Sequence, residues 1–372
     1  MKEPIISLCM IVKNEESNIA NCLKSAQGIV DEIIIVDTGS TDETIAICET
    51  FNAKILNFKW NNSFAEARNF GLKQAKGDWI LWLDADEEID VEDGKKLKKY
   101  LSELENEKLL SIHLINYIGK EKNINQTFQI AHTRLFKNHL GFKFNQNVHE
   151  ILNAEEVLGE IQEIKMISIK IYHYGYLDSE VLNKNKSNRN LNLLLEELKI
   201  EKHSPWVEYH LASEYYRLEN YEESFEYINK SIKGFINDRK LPPSLLYKLK
   251  YSILLCLGSI EGAWPSINSA IKLYPDYVDL YFFKGIILFY RKQYEEALLT
   301  FDQCIKMGET NLKHLTLKGV GGHMALFYKG VCLESMGDIE NAKIAYKVAI
   351  SLVPDYTPAL EALKKINVQT KH

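Results

Sequence analysis

No CxxC pair occurs anywhere in this 372-residue sequence. Its six cysteines (Cys9, Cys22, Cys48, Cys256, Cys304 and Cys332) are scattered, most of them within apolar patterns. They read as reduced core thiols of a cytoplasmic protein. Basic residues are not in excess either: 45 Lys and Arg against 51 Asp and Glu leave a net charge of −6, which argues against nucleic acid as the main partner. A nucleotide remains compatible with that balance, because one small diphosphate needs only local compensation. The opening stretch "MKEPIISLCMIVKNEE" has no charged segment followed by a continuous apolar run, so no signal peptide is expected. Long apolar runs are missing: "LYFFKGIILFY" at 280–290 is short and broken by Lys284, which excludes an ordinary spanning helix. GxGxxG and the Gly-rich P-loop are also absent, so a dinucleotide fold of the usual kind and a P-loop phosphate cradle are both disfavoured.

The chain is longer than one hydrophobic core usually serves, and two periodicities divide it. In the first half, apolar runs at 5–12, 31–37, 53–58 and 78–84 alternate with helical patterns at 15–26, 41–51 and 63–75. Strands that are apolar on both faces and separated by helices predict a parallel sheet of βαβ units. Ser40-Thr41-Asp42-Glu43 and Ser63-Phe64-Ala65-Glu66 fit the capping-box pattern at two helix starts. Beyond residue 108, "LLSIHLINYIG", "FQIAHTRLFKN" and "IKMISIKIYHYGY" predict α+β additions around one edge of that sheet. His113 and His132, in strand-like alternation, read as structural.

From about residue 185 no strand pattern remains and a loose repeat takes over. It runs through Ala212/Tyr215/Ser224/Ile228/Ser231, Tyr251/Leu254/Ala263/Ile267/Ala270, Gly285/Leu288/Ala297/Phe301/Cys304 and Gly330/Leu333/Ala342/Tyr346/Ala349. Small residues at these offsets let two antiparallel helices approach closely, which is the tetratricopeptide pattern. The spacings of 39, 34 and 45 residues imply inserted turns, and "TPALEALKKI" at 357–366 reads as a capping helix. The expected domains are therefore 1–184 (α/β) and 185–372 (all-α repeats).

The stretch "GDWILWLDADEEID" at 77–90 drives an apolar strand straight into clustered carboxylates, which repel one another unless something compensates them. In a doubly wound sheet, ligands bind beyond the carboxyl ends of the strands. Lys13-Asn14-Glu15, Asp37-Thr38-Gly39-Ser40 and Asp84-Ala85-Asp86 all fall there, with Arg68-Asn69 in the third helix. Acids cannot bind a diphosphate directly, but they hold a divalent cation that does, and they accept hydrogen bonds from a ribose or a base edge.

"ISLCMIVKNEE", "DEIIIVDTGSTDET", "FAEARNFGLKQAKGDWILWLDADE", "NVHE" and "YHYGY" together resemble a family 2 glycosyltransferase of the GT-A fold. More narrowly, they resemble its bacterial branch with C-terminal tetratricopeptide repeats. The resemblance implies a GT-A (Rossmann-like, mostly parallel) domain and an inverting, metal-dependent transfer from a UDP-sugar. Carried over residue by residue, it places Asp37 at the uracil edge, Glu15 near the ribose, and Asp84 and Asp86 as the DxD. Asp86 becomes the direct ligand of Mn²⁺ or Mg²⁺, with His173 as a late metal or phosphate ligand. Arg68 would contact the diphosphate or hold the Asp84 loop. Glu87 and Glu88, apart from the resemblance, read simply as caps of the next helix. "NVHE" supplies Glu150 as the base candidate, with His149 beside it as the alternative.

The layout is further similar to peptide S-glycosyltransferases that modify bacteriocin-like precursors. That similarity implies a hexose or N-acetylhexosamine moved to a Cys, or Ser/Thr, of a peptide acceptor held by the repeats. A transferase acting on cell-envelope glycan or lipid-linked acceptors, and a non-catalytic scaffold with a vestigial GT-A domain, are the competing expectations. Solenoid ends also make a homodimer possible.

Overall fold

Four apolar runs become the parallel core of a sheet: β1 (Ile6–Val12), β2 (Glu32–Asp37), β3 (Lys54–Asn57) and β4 (Trp79–Trp82). Between them lie helices α1 (Ile19–Ala26), α2 (Thr44–Thr50) and α3 (Phe64–Leu72), as the alternation predicts. A computed structural model describes residues 3–159, 164–183 and 186–369. Strands β5 (Glu87–Ile89), β6 (Leu109–Gly119), β7 (Thr127–Lys137) and β10 (Met166–Leu177) extend the sheet. The short strands β8 (Phe144–Asn145) and β9 (Ile151–Leu152) form a separate antiparallel pair.

The sheet order is β3-β2-β1-β4-β7-β6-β10-β5. Strands β3, β2, β1 and β4 run parallel, β7 pairs antiparallel with β4, and β5 pairs antiparallel with β10. The sheet is therefore mixed, with a parallel half built from βαβ units and an added edge. Ile6, Leu8, Met10, Ile19, Leu23 and Leu81 pack into its main core.

Ser63 caps α3 as expected, accepting the Glu66 N–H at 3.2 Å. The other capping box does not form. Helix α2 begins only at Thr44, and Ser40 Oγ accepts instead from the Asn14 N–H across the neighbouring loop. Glu87 and Glu88 are no helix cap either: both lie in β5, and the next helix is capped by Asp90, which accepts the Asp93 N–H.

Two units emerge: Met1–Lys122 with Ile130–Glu197, and Asn123–Gln129 with Leu198–His372. The division expected between residues 184 and 185 falls outside the described residues. Helix Lys186–Glu197, with Leu194 buried, groups with the first unit.

In the second unit the repeats are helix pairs. Trp206–Arg217 precedes Tyr221–Asn237, Val278–Tyr290 precedes Tyr294–Met307, and His323–Ser335 precedes Ile339–Leu352. Thr357–Gln369 follows as the last helix. Close approach explains the glycines: a Cβ on Gly285 would fall 2.6 Å from the Phe301 ring, and one on Gly330 would fall 2.4 Å from Tyr346. The second repeat is the weakest because Pro265, which has no N–H, divides its second helix into Ile260–Ala263 and Ile267–Leu273.

The 45-residue spacing has a specific cause. The insertion after Met307 carries β11 (Thr316–Leu317), which pairs antiparallel with Phe128 and Gln129. Repeat helices grip this strand by its backbone. The Leu315 carbonyl accepts from Lys248 Nζ at 2.7 Å and Tyr277 Oη at 2.6 Å, and the Leu317 N–H donates to Asp279 Oδ1 at 3.1 Å. Lys248 and Asp279 also form a buried ion pair, and the Phe128 ring centroid lies 4.5 Å from Lys248 Nζ.

All six cysteines are free thiols, five of them buried. Among the described residues no helix is long and apolar enough to cross a membrane.

Removing Lys248 strands a buried carboxylate, so Lys248→Ala should lower unfolding free energy by about 3–5 kcal/mol, read as an earlier urea transition. Lys233→Ala, at an exposed position, should shift it by less than about 0.5 kcal/mol.

Candidate active site

The carboxyl ends of β1 and β2 are tied together by their loops. Asp37 ends β2, and its carboxylate accepts the N–H groups of Gly39 at 3.2 Å and Ser40 at 3.0 Å. Gly39 adopts φ +104°, a left-handed conformation open to glycine without steric cost, which lets the turn fold back on the carboxylate. Asn14 Oδ1 accepts the Thr41 N–H at 2.8 Å, and the Glu15 N–H donates to Thr44 Oγ1 at 2.7 Å. The Glu15 carboxylate accepts from Asn18 Nδ2 at 3.3 Å. Glu15 and Asp37 thus share one interlocked rim.

A second group forms around the end of β4. Helix α3 lies close to the sheet: a Cβ on Gly71 would fall 2.8 Å from Val36. That proximity buries Arg68, whose Nη2 donates to Asp84 Oδ1 at 2.6 Å and whose Nε donates to Glu150. Its guanidinium carbon sits 4.5 Å from the Trp82 ring centroid, and that of Arg134 sits 3.7 Å from it. Burial alone would push the Asp84 carboxyl up, but Arg68 and Arg134 outweigh it and hold Asp84 below the usual carboxylate range. Arg68 itself is driven down by burial and, more strongly, up by Glu150 and Asp84, so it stays charged.

Glu87 lies beneath this pair with no exposure at all. One carboxylate oxygen accepts the Asp84 N–H at 2.9 Å and the other is ion-paired with Arg134. This is why a strand, not a helix cap, follows the acidic stretch: Glu87 points inward and anchors the Asp84 turn.

Asp86 is placed differently. Its Oδ1 lies 3.6 Å from His173 Nε2, while His173 Nδ1 donates to Asn116 Oδ1 at 2.8 Å, which fixes the ring. Burial would lower the His173 pKa, but the Asp86 carboxylate raises it above the ordinary histidine value. A Cβ on Gly175 would fall 2.5 Å from Asp86 Oδ2 and 2.6 Å from His173 Nε2, so only glycine keeps this cradle open. A carboxylate and an imidazole facing one clear space suit a hard divalent cation that takes its remaining positions from phosphate oxygens and water. Among the described residues no three or more His, Cys, Asp or Glu side chains form a complete metal cage, so any such ion would depend on its ligand for the rest.

Asp84, Arg68 and Glu150 are brought into one bonded group, and Asp86 with His173 into another beside it. His149 adopts φ +54° next to Glu150. The sequence does not single out Arg134, Asn116 or Glu87 for the parts they play here. Arg134 and Asn116 are polar residues within strands, and Glu87 is one acid of an acidic run, so none carries a distinctive local signal.

Acids along the carboxyl rim of a parallel sheet, with no phosphate-cradling loop, define a GT-A-type glycosyltransferase domain, here joined to helical repeats. The Glycosyl transferase family 2 model matches residues 7–153, and tetratricopeptide models match 209–233 and 324–356. The SPbeta prophage-derived glycosyltransferase SunS of Bacillus subtilis (strain 168) is 30% identical over 293 residues, 77% of this chain and 67% of that protein. A TPR repeat-containing protein of Synechococcus elongatus is 36% identical over 176 residues, 46% of this chain and 42% of its own. Among solved structures, S. aureus TarS 1-349 in complex with UDP-GlcNAc is 16% identical with a TM-score of 0.39, covering 68% of this chain and 87% of that one. The chain belongs to the family 2 glycosyltransferases and carries tetratricopeptide repeats.

His132 packs edge-on against Trp82 at 5.8 Å and is held neutral by burial and by Arg134, its pKa lowered to about 3. An unfolded histidine binds its proton near pH 6.5, so between pH 6.5 and 3 the unfolded state carries the extra proton and stability falls as pH falls. His132→Gln should flatten that slope, removing roughly 1–2 kcal/mol of the acid-side loss for this half-buried group in pH-dependent denaturant melts.

Proposed function

We propose that the chain is an inverting glycosyltransferase that moves a hexose or N-acetylhexosamine from a UDP-sugar to a Cys, Ser or Thr side chain of a peptide. The observation that carries the donor side is the division of labour at the end of β4. Asp84 is taken up by Arg68, whereas Asp86 faces His173 across the space kept clear by Gly175. In this reading Asp37 receives the uracil edge and Glu15 the ribose, at the rim where their loops interlock. Asp86 and His173 would hold Mn²⁺ or Mg²⁺, which would supply Lewis-acid compensation for the charge developing on the departing UDP. Arg68 fixes Asp84 and brings positive charge to the diphosphate side.

The acceptor thiol or hydroxyl attacks the sugar C1 from the face opposite UDP. The C1–S or C1–O bond forms as the C1–O bond to UDP breaks, and the configuration inverts. Glu150 takes the acceptor proton, with His149 beside it. A cysteine acceptor is partly thiolate near neutral pH and needs less of this help. Repeat solenoids suit extended peptides, which supports a peptide acceptor held by the repeat domain, in a cytoplasmic setting that keeps the six thiols reduced.

A second reading is favoured by one surface. Leu299 and Ile344, at equivalent positions of successive repeats, are exposed, as are Val348 and Leu352 on the same helix as Ile344. Exposed apolar positions of this kind suit a transferase acting on cell-envelope glycan or lipid-linked acceptors whose repeats dock a partner enzyme.

Hydrolysis of a UDP-sugar panel with Mn²⁺ or Mg²⁺ tests the donor assignment. Slow UDP release by the wild type, lost with chelator and reduced at least about a hundredfold in Asp86→Ala, is the expected result. The donor so found is then offered to Cys and Ser peptides and to lipid-linked acceptors, and transfer to the second class alone selects the second reading. No UDP binding with any donor would overturn the donor site.

A further inference from the structure

The turn that carries His149 and Glu150 is closed by only a short ladder of its own strands. Strands β8 and β9, which flank it, are two residues each, and two non-glycine residues of the turn have positive φ: Gln146 at +71° and His149 at +54°. Left-handed conformations at such residues persist only where surrounding contacts over-determine them. Helix α3 supplies several of those contacts. The Phe64 N–H, at the start of that helix, donates to the Asn147 carbonyl at 2.9 Å. One helical turn on, Arg68 is ion-paired with Glu150. Beside it, Asn69 makes a two-way bridge to Phe144: its Nδ2 donates to the Phe144 carbonyl at 2.8 Å, and its Oδ1 accepts the Phe144 N–H at 2.8 Å. The amide of Asn69 therefore stands in for the neighbouring strand that β8 lacks on that side. The Phe144 ring in turn meets Trp82 edge-on at 5.5 Å, two residues before Asp84.

We propose that Asn69 is a positioning residue: it fixes the His149–Glu150 turn against the Asp84 end of β4, so that the acceptor-side groups keep one geometry toward the donor. The role of that turn rests on the function proposed above; its anchoring by Asn69 does not. Conservative replacements do not reproduce this bridge. Asp retains the acceptor for the Phe144 N–H but has no donor for the carbonyl, and Ser is too short to span both groups.

The test uses the full chain as wild type, Asn69→Ala and Asn69→Asp, with two independent readouts. The first is amide hydrogen exchange across residues 144–151. Loss of both bonds should raise exchange there at least about tenfold in Asn69→Ala, with Asn69→Asp in between and strand β4 unchanged. The second is donor chemistry with Mn²⁺: UDP affinity should stay within about twofold of wild type, while kcat for sugar transfer to water falls about tenfold, with Asn69→Asp partly restored. A general loosening of the fold would instead raise exchange in β4 and weaken UDP binding together, and that result overturns the proposal. Unchanged exchange at 144–151 in Asn69→Ala overturns it as well. A wild type that binds no UDP sinks the proposed function, and the exchange pattern then decides the anchoring by itself. If Asn69→Ala does not fold, Asn69→Asp carries the same two readouts, and the same results support or overturn the proposal.

Discussion

One guanidinium, that of Arg68, lies between two carboxylates from distant parts of the chain and over the face of an indole. Asp84 follows β4, Glu150 follows the turn after β8, and Trp82 supplies the ring. The geometry requires arginine, because separate N–H groups on a rigid planar fork reach both acids at once, and a lysine ammonium on a flexible stem does not. Removing either acid would leave the buried cation under-compensated, and removing the cation would leave two acids facing each other. The site is thus assembled by mutual necessity among groups that are individually costly to bury.

The same logic continues one layer deeper. Glu87 and Arg134 form a second buried pair, and both arginines use Trp82 as a common platform. Most of the acids of "DADEE" are consequently compensated by cations of the protein itself. Asp84 and Glu87 are compensated within the protein, Glu88 reaches toward Lys122 at 3.8 Å, and Asp86 is the carboxylate directed at the glycine-lined cradle. A crowded acidic run is thereby resolved into carboxylates paired within the protein and one, Asp86, set beside His173.

The parallel half of the sheet was legible because each strand and helix carries its own periodic signal, and the position of Asp84 and Asp86 because they follow directly on a strand. The repeats were legible for the same local reason: small residues recur wherever two helices touch. What escaped were features made by register between remote segments. Arg134 reaches Glu87 from β7, and Asn116 reaches His173 because β6 and β10 align those two residues. Ser40 looked like a helix cap from its neighbours alone, but Asn14 on the adjacent loop claims it. The long interval between the third and fourth repeats was visible, yet its occupant, a strand paired with residues far earlier in the chain, was not.

That strand has a practical meaning for anyone dividing the gene. The segment Asn123–Gln129 belongs physically with Leu198–His372 although it is encoded within the catalytic half. A fragment cut at a plausible linker would leave behind the partner of β11 and strip Phe128 from Lys248. The repeat helices are here partly engaged by the chain's own backbone. Modularity in this protein is a property of its text more than of its matter.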